Sequence, residues 1–232
     1  MDYINNFAFF WVGEDITIPS YLVKSINKTY KNNASIFMLT NKKTPYIDGV
    51  TKTIRSALPK QIMLARLKAY SQIKLDDQIL FLDADSLVLN KFKKLLTDED
   101  QVFFRRDPEK IIINYNYPEY YPEFVGKTFN EMMPFLFGAM ITKSIDSHKI
   151  FELILKYAKQ LPPRFHRWYG DQYALKLVSD AGLIKFTEEK FTDYVKIIKN
   201  ELDLKHIDKS IITFKGLKSK KLIYKFFTES FE

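Results

Sequence analysis

Residues 76–90 have the sequence DDQILFLDADSLVLN. Within this segment, Ile79–Leu82 is a short continuous apolar run, which is typical of a strand buried in a layered α/β protein. The run ends in the acidic residues Asp83 and Asp85, and a second apolar run follows at 87–89. Open α/β sheets bind ligands beyond the carboxyl ends of their strands. The acidic pair is therefore predicted to lie at a ligand-binding edge.

The spacing of the two aspartates indicates what they bind. Strand alternation predicts that Asp83 and Asp85 point to the same side of the sheet. No basic residue adjoins them in sequence, so their mutual repulsion favours a bound divalent cation, and oxygen ligands favour Mg²⁺ or Mn²⁺. A turn or a helix-capping pair is the structural alternative, and the same pattern also suits a phosphotransferase or a nuclease.

The flanking sequence predicts alternating strands and helices. Pro19 begins a predicted helix whose apolar positions share one face, and Pro59 begins another. Further strands are predicted at Phe7–Val12, Ile36–Leu39, Gln101–Phe104 and Phe135–Thr142, and a further helix at 150–161. This order predicts an α/β fold in which helices flank a central, mostly parallel sheet. No linker divides residues 1–232, so a single domain is expected.

Composition limits the class of protein and its partners. The 232 residues are 46% hydrophobic and 16% aromatic, which is sufficient for a sizeable core, and they carry a net charge of +8. That charge suits a nucleotide, a nucleic acid or an acidic lipid surface. The absence of cysteine excludes disulfides and thiol catalysis and suggests a cytoplasmic protein. No apolar run is long enough to cross a membrane. The lysine-rich segment 215–225 suits a solvated terminal helix, or contact with a diphosphate or with an anionic lipid at the membrane periphery.

Four segments resemble glycosyltransferase family 8 in their order along the chain. The first segment consists of the helix sequence ARLK at 65–68, followed by the strand and acidic pair within residues 79–88. The others are FLFGAMITKS (Phe135–Ser144), WYGDQYALKLV (Trp168–Val178) and the segment Ile211–Lys220. The resemblance implies a single Rossmann-like GT-A domain. It further implies a metal-dependent enzyme that moves a sugar from a UDP- or GDP-sugar to a glycan acceptor with retention of anomeric configuration.

The resemblance also implies roles for individual residues. Asp83 would lie near the ribose and the Mn²⁺ or Mg²⁺ ion, and Asp85 would bind that ion directly. Arg66 would contact the donor, or lie on the solvated face of its helix. Asp171 and Gln172 would act at the reaction centre, although Asp171 also suits the N-cap of a helix at 172–178. The diphosphate would be bound by Gly216, Lys218 and Lys220.

The chain departs from the family pattern at several positions, including Gly138 and Ala139 in place of a small residue followed by glycine. Phe137 replaces an asparagine, Tyr173 replaces the third aspartate of the D-Q-D motif, and Thr213 replaces the metal-binding histidine. Ser219 occupies the position of the phosphate-binding lysine. His206 is the remaining candidate for the missing histidine ligand.

A tyrosine-rich segment at 113–134 has little regular pattern. Its aromatic rings suit stacking on an acceptor sugar or ordinary packing; they are Tyr115, Tyr117, Tyr120, Tyr121 and Phe124. Trp168 and Tyr169 suit the same role. An inverting or mannosyl-type transferase is the alternative within the superfamily, with Asp107, Glu109 or Glu123 as general base. A nucleic-acid-binding protein and a lectin-like module are the competing classes; the first would leave the acidic pair unexplained, so no nucleic-acid partner is expected.

Overall fold

The computed structural model describes residues 2–106 and 121–231. The strands are β1 (Asn6–Phe10), β2 (Ser35–Thr40), β3 (Lys52–Arg55), β4 (Ile79–Leu82), β5 (Ser86–Val88), β6 (Gln101–Arg105), β7 (Phe135–Thr142), β8 (Thr187–Lys190), β9 (Val195–Ile198) and β10 (Ile211–Phe214). The helices are α1 (Thr17–Tyr30), α2 (Ile62–Tyr70), α3 (Phe129–Met132), α4 (His148–Gln160), α5 (Pro163–Arg167), α6 (Gly170–Asp180), α7 (Phe191–Tyr194), α8 (Leu217–Lys220) and α9 (Leu222–Phe231). Short 3₁₀ turns lie at 122–124, 145–147 and 201–204.

The chain forms two compact units, each assembled from separate segments. The first unit comprises residues 1–57, 77–96 and 192–232, and the second comprises residues 58–76 and 97–191. That all 232 residues act as one domain stays a prediction.

The first unit is built on parallel strands. β1 pairs in parallel with β2 and β4, and β2 pairs in parallel with β3, so the strand order is β3-β2-β1-β4. α1 connects β1 to β2, which confirms the predicted βαβ start. Its predicted apolar face is buried, and the hydroxyl of Tyr30 accepts a hydrogen bond from the backbone N–H of Phe92 at 2.8 Å.

A small second sheet in the same unit has the order β5-β10-β9. β10 runs antiparallel to β5 and parallel to β9. The apolar side of α9 covers this sheet and forms a core with it. That core contains Leu87, Ile198, Ile212, Phe214, Ile223, Phe227 and Phe231. It anchors the chain directly after the acidic pair, because β5 follows the pair and β10 lies beside β5.

The second unit combines three strands with a group of helices. β6 pairs antiparallel with β7 and parallel with β8, and its register against β7 shifts between Phe103 and Phe104. α2, α4 and α6 pack on one another. Tyr70 of α2 stacks on Phe137 of β7 with the ring centroids 6.5 Å apart. Phe137, one of the departures from the family pattern, is therefore a buried packing residue.

These elements confirm the predicted α/β class, with mostly parallel strands and flanking helices. Ile79–Leu82 and Phe135–Thr142 form strands with the predicted bounds. Among residues 2–106 and 121–231, no helix has both the length and the apolar character needed to cross a membrane.

Candidate active site

The acidic pair lies in a tight turn between the two sheets of the first unit. β4 ends at Leu82 and β5 begins at Ser86, so only three residues connect them. The backbone N–H of Ser86 donates to the carbonyl of Asp83 at 3.1 Å and closes the turn. Both aspartates contact the same lysine, which shows that they point to one side, as predicted. This orientation comes from the turn and not from strand alternation, because the pair lies between β4 and β5.

Strand register brings that lysine to the turn. Thr213 of β10 pairs with Ser86 of β5, and the N–H of Phe214 donates to the carbonyl of Asp85 at 2.9 Å. The chain that leaves β10 therefore passes directly beside the two carboxylates. Its first residue is Lys215.

Two lysines contact the acidic pair. The ammonium group of Lys215 forms an ion pair with the carboxylate of Asp83 and lies 3.3 Å from Oδ1 of Asp85. The ammonium group of Lys220 lies 3.0 Å from the other oxygen of Asp85, Oδ2. The structure thus supplies basic partners that are distant in sequence, and the neighbouring residues in the sequence do not reveal them.

The charge state of Lys215 follows from these neighbours. Burial opposes its positive charge, but the carboxylates of Asp83 and Asp85 outweigh that effect and raise the pKa of Lys215 above its ordinary value. Lys215 is therefore a cation at neutral pH. The side chains of Lys215 and Lys220 remain 38% and 33% exposed, so a ligand can approach them.

The other predicted diphosphate contacts occupy different environments. Gly216 has a φ of +91°, which glycine adopts readily, and open space lies where its side chain would be. Ser219 is buried, and its hydroxyl donates to the backbone carbonyl of Lys215 at 2.7 Å. Lys218 is exposed. Of the two lysines that flank Ser219, Lys220 is the one that pairs with the acidic turn.

In the second unit, the structure joins Arg66 to Asp171. Nε of Arg66 donates to Oδ2 of Asp171 at 2.6 Å, and a second guanidinium nitrogen binds the same oxygen. Asp171 is fully buried and the side chain of Arg66 is 14% exposed. Asp171 lies in the first turn of α6 and not at its N-cap, which is Tyr169. Its carboxylate therefore holds Arg66 in place.

Gln172 has an arginine partner that the sequence did not reveal. A guanidinium nitrogen of Arg106 donates to Oε1 of Gln172 at 2.6 Å, and Nε of Arg106 donates to the carbonyl of Met133 at 2.8 Å. Because arginine only donates, the amide oxygen of Gln172 faces Arg106 and its NH₂ group is the part it can offer to a ligand. Arg106 directly follows the apolar strand β6, a position that could have singled it out.

The start of α6 is held by a close backbone approach. A side chain at Gly170 would place its Cβ 2.3 Å from the carbonyl oxygen of Phe165. Tyr169, just before it, has a φ of +67°. The helix that carries Asp171 and Gln172 is therefore positioned directly against α5.

The predicted acceptor aromatics divide into two groups. Phe124 is buried in a cluster with Phe165, and Tyr121 stacks on it with the ring centroids 5.3 Å apart. Trp168, by contrast, is 58% exposed. Glu123 pairs with Arg164. Tyr169 packs against the cluster of Phe124 and Phe165, with its ring centroid 5.5 Å from that of Tyr121. The other candidate aromatics and general bases lie outside the described residues; they are Asp107, Glu109, Tyr115, Tyr117 and Tyr120.

The donor set decides how well the predicted metal ion fits. Within the described part of the chain, no three His, Asp or Glu side chains form a cluster that could hold a metal ion. His206 is exposed, and the hydroxyl of Thr213 donates weakly to Oδ1 of Asp85 at 3.5 Å. Each carboxylate of the turn already contacts an ammonium group. These residues do not fit the metal site that the resemblance implies.

Comparison with solved structures places the fold among glycosyltransferases. The galactosyltransferase LgtC, solved in complex with donor and acceptor sugar analogues, matches with a TM-score of 0.58 at 13% identity, covering 98% of this chain and 96% of that one. A glycosyltransferase involved in glycosylation of the major capsid of PBCV-1 matches with a TM-score of 0.55 at 12% identity, covering 97% and 99% of the two chains.

A third match covers only part of its counterpart. GlyE of Streptococcus pneumoniae TIGR4 has a TM-score of 0.61 at 12% identity, over 96% of this chain and 60% of that one. No protein-family model and no curated protein sequence matches the chain. The chain therefore has the fold of these glycosyltransferases, and the GT-A fold predicted from its sequence is confirmed.

Proposed function

We propose that the protein is a nucleotide-sugar-dependent hexosyltransferase whose donor is a UDP- or GDP-sugar and whose acceptor is a glycan. The observation that carries the proposal is the cluster of Asp83, Asp85, Lys215 and Lys220 within a glycosyltransferase fold. A nucleic-acid-binding role has no comparable support, because it gives the two carboxylates no purpose.

The chemistry of the donor explains why this cluster suits it. When the sugar departs, negative charge develops on the leaving diphosphate, and fixed positive groups that stabilise this charge lower the barrier. Lys215 and Lys220 are held by the acidic turn and remain partly exposed. The open space beside Gly216 leaves its backbone accessible to a phosphate group. These contacts support diphosphate binding at the end of β10.

We propose transfer with retention, as the sequence resemblance implies. The bond between the anomeric carbon and the diphosphate oxygen breaks, and its electron pair goes to the diphosphate. The acceptor hydroxyl oxygen forms a bond to the anomeric carbon on the same face. Its proton passes to the leaving diphosphate oxygen, so the step needs no further reactant.

The two predicted catalytic residues receive different roles. The carboxylate of Asp171 is buried and bound by Arg66, so we assign it to positioning. Gln172 is partly exposed and its amide oxygen is bound by Arg106. We propose that its NH₂ group donates a hydrogen bond to the donor sugar.

Turnover of nucleotide sugars by the purified 232-residue chain tests the proposal. We expect release of UDP or GDP from at least one member of a panel of UDP- and GDP-sugars, measured with and without Mn²⁺. The double variant Asp83→Asn/Asp85→Asn should lose this activity, because the lysines lose the groups that hold them. Asp76→Asn, an exposed aspartate before β4, is the matched control. Failure to bind or turn over any donor under either condition contradicts the proposal.

A further inference from the structure

The acidic turn and its lysines form a cluster of four charges. Asp83 and Asp85 contribute two negative charges, and Lys215 and Lys220 contribute two positive charges. We propose that these two ammonium groups take the place of a divalent cation, so that transfer by this protein is independent of metal ions. This inference rests on the proposed function.

The charge balance of the cluster supports the replacement of a divalent cation by two lysines. One divalent cation and two lysines carry the same charge, and here the lysines contact the carboxylate oxygens that a cation would use. A divalent cation placed on those oxygens would lie within a few ångströms of two ammonium groups. Like charges this close repel one another, so the lysines oppose metal binding at the turn.

Thr213, which lies beside the turn, also disfavours a metal site. Thr213 lies next to Asp85 with its hydroxyl 3.5 Å from Oδ1. A neutral hydroxyl that donates to a carboxylate adds no negative charge and no strong ligand to the pair. The cluster consequently has two carboxylates as its only anionic groups among the described residues, and both contact lysines.

The lysines are also positioned for a second ligand. Lys215 is fixed at the end of β10, where its backbone N–H donates to the carbonyl of Ile198 at 3.2 Å. Lys220 lies at the end of α8, where its N–H donates to the carbonyl of Gly216 at 3.2 Å. An ammonium group has three N–H donors, so each lysine can contact a carboxylate and a diphosphate oxygen together. Asp83 and Asp85 then act as the positioning groups of the lysines.

The test measures the metal dependence of donor turnover by the whole 232-residue chain. Purified protein is treated with EDTA and dialysed, and donor turnover is measured in EDTA, in Mg²⁺ and in Mn²⁺. We expect the three rates to agree within about twofold, because the lysines already supply the charge. Loss of turnover in EDTA, with recovery in Mn²⁺, overturns the inference and leaves the proposed function intact. Absence of turnover and of UDP or GDP binding in all three conditions overturns both.

Lysine variants identify the groups responsible. Lys215→Met and Lys220→Met keep the side-chain length and remove the charge; each should lower kcat in EDTA by about 100-fold, the usual cost of removing one preorganised charge-stabilising group. Lys221→Met, an exposed neighbour of Lys220, is the control and should retain the wild-type rate. Circular dichroism checks that each variant folds. Folded Lys215→Met and Lys220→Met variants with wild-type rates in EDTA would contradict the inference.

Discussion

The two units each contain a carboxylate cluster bound by basic side chains, and the clusters differ in burial. In the second unit, Asp171 is fully buried and the Arg66 side chain is 14% exposed. In the first unit, the Asp83 and Asp85 side chains are 20% and 11% exposed, and both partner lysines are exposed by a third or more. The carboxylate is therefore fully buried in the second unit, whereas the cationic partners in the first unit are about one-third exposed.

This difference determines what each cluster can do. A buried ion pair is costly to break, because either partner left alone is an uncompensated charge away from water. A partly exposed pair is weakly bound, because water competes for both groups. The Arg66–Asp171 pair is thus suited to holding structure, and the lysines of the acidic turn are suited to accepting a ligand.

The largest effect is expected for Asp171→Ala. Removing one partner of a buried ion pair typically costs about 3–5 kcal/mol, and this variant removes the carboxylate that two guanidinium nitrogens of Arg66 bind. Urea unfolding of the purified protein measures the loss. The double variant Arg66→Met/Asp171→Leu removes both charges and should be closer to wild type in stability. A loss for Asp171→Ala below about 1 kcal/mol would mean that the pair behaves like an exposed one.

The next largest effect concerns Arg106. A hydrogen bond to a charged group contributes about 1.5–3 kcal/mol, so Arg106→Met should lower kcat by about tenfold or more while the affinity for UDP or GDP changes little. Steady-state kinetics and calorimetry separate the two quantities. Arg105→Met is the matched control, because Arg105 pairs with Glu188 and the two side chains are 40% and 43% exposed. Equal effects of the two variants on kcat would remove the positioning role of Arg106.

A smaller change in stability is expected for Asp85→Asn. The amide keeps the shape of the carboxylate, and the lysines that lose a partner are partly exposed, so the free energy of unfolding should fall by about 1 kcal/mol or less. Turnover should fall in the same variant, because Lys215 and Lys220 lose a positioning group. Urea unfolding and donor hydrolysis on one preparation give both numbers. A stability loss as large as that of Asp171→Ala would erase the contrast between the clusters.

The smallest effect is expected for an outlying ion pair of the first unit. Partial burial raises the pKa of Asp77, but hydrogen bonds from Lys94 at 2.9 Å and from the backbone of Gln78 at 2.7 Å outweigh it, and the net shift lowers that pKa. A lowered pKa stabilises the fold above the ordinary aspartate pKa of about 3.9, and this contribution is lost as the pH falls through the lowered value.

Asp77→Asn tests this expectation. The variant should show a smaller loss of unfolding free energy as the pH falls, because it lacks the carboxylate that is protonated there. Urea unfolding at low salt measures this between about pH 2 and 6, the range in which aspartates titrate. Because the Asp77 side chain is 45% exposed, added salt should reduce the difference from wild type. A steeper profile in the variant would reverse the assigned direction.

Local sequence patterns predicted much of the fold. Ile79–Leu82 and Phe135–Thr142 are continuous apolar runs with sharp polar ends, so their bounds could be assigned directly. β3 offers no such signal, because its sequence KTIR has one apolar residue and none of its side chains is buried. Its strand conformation follows from pairing with β2, and that is a tertiary effect.

The site was predicted less completely, and the reason is distance along the chain. The motif identified Asp83 and Asp85, but Lys215 is 132 residues from Asp83, and only the register of β10 against β5 brings them together. Arg66 and Asp171 are 105 residues apart. A single sequence shows which residues have suitable chemistry but not which of them meet, so the partners that define each cluster required the structure.

Gly170 shows that the second cluster also depends on a residue without a side chain. Even one added methyl group would collide with the Phe165 carbonyl, so α6 could not keep its present start. Asp171 and Gln172 follow directly on that helix, and both would move with it. Sequence drift in this chain is therefore constrained at a position that supplies no side chain, and a screen of random variants for lost activity should recover Gly170 alongside the charged residues.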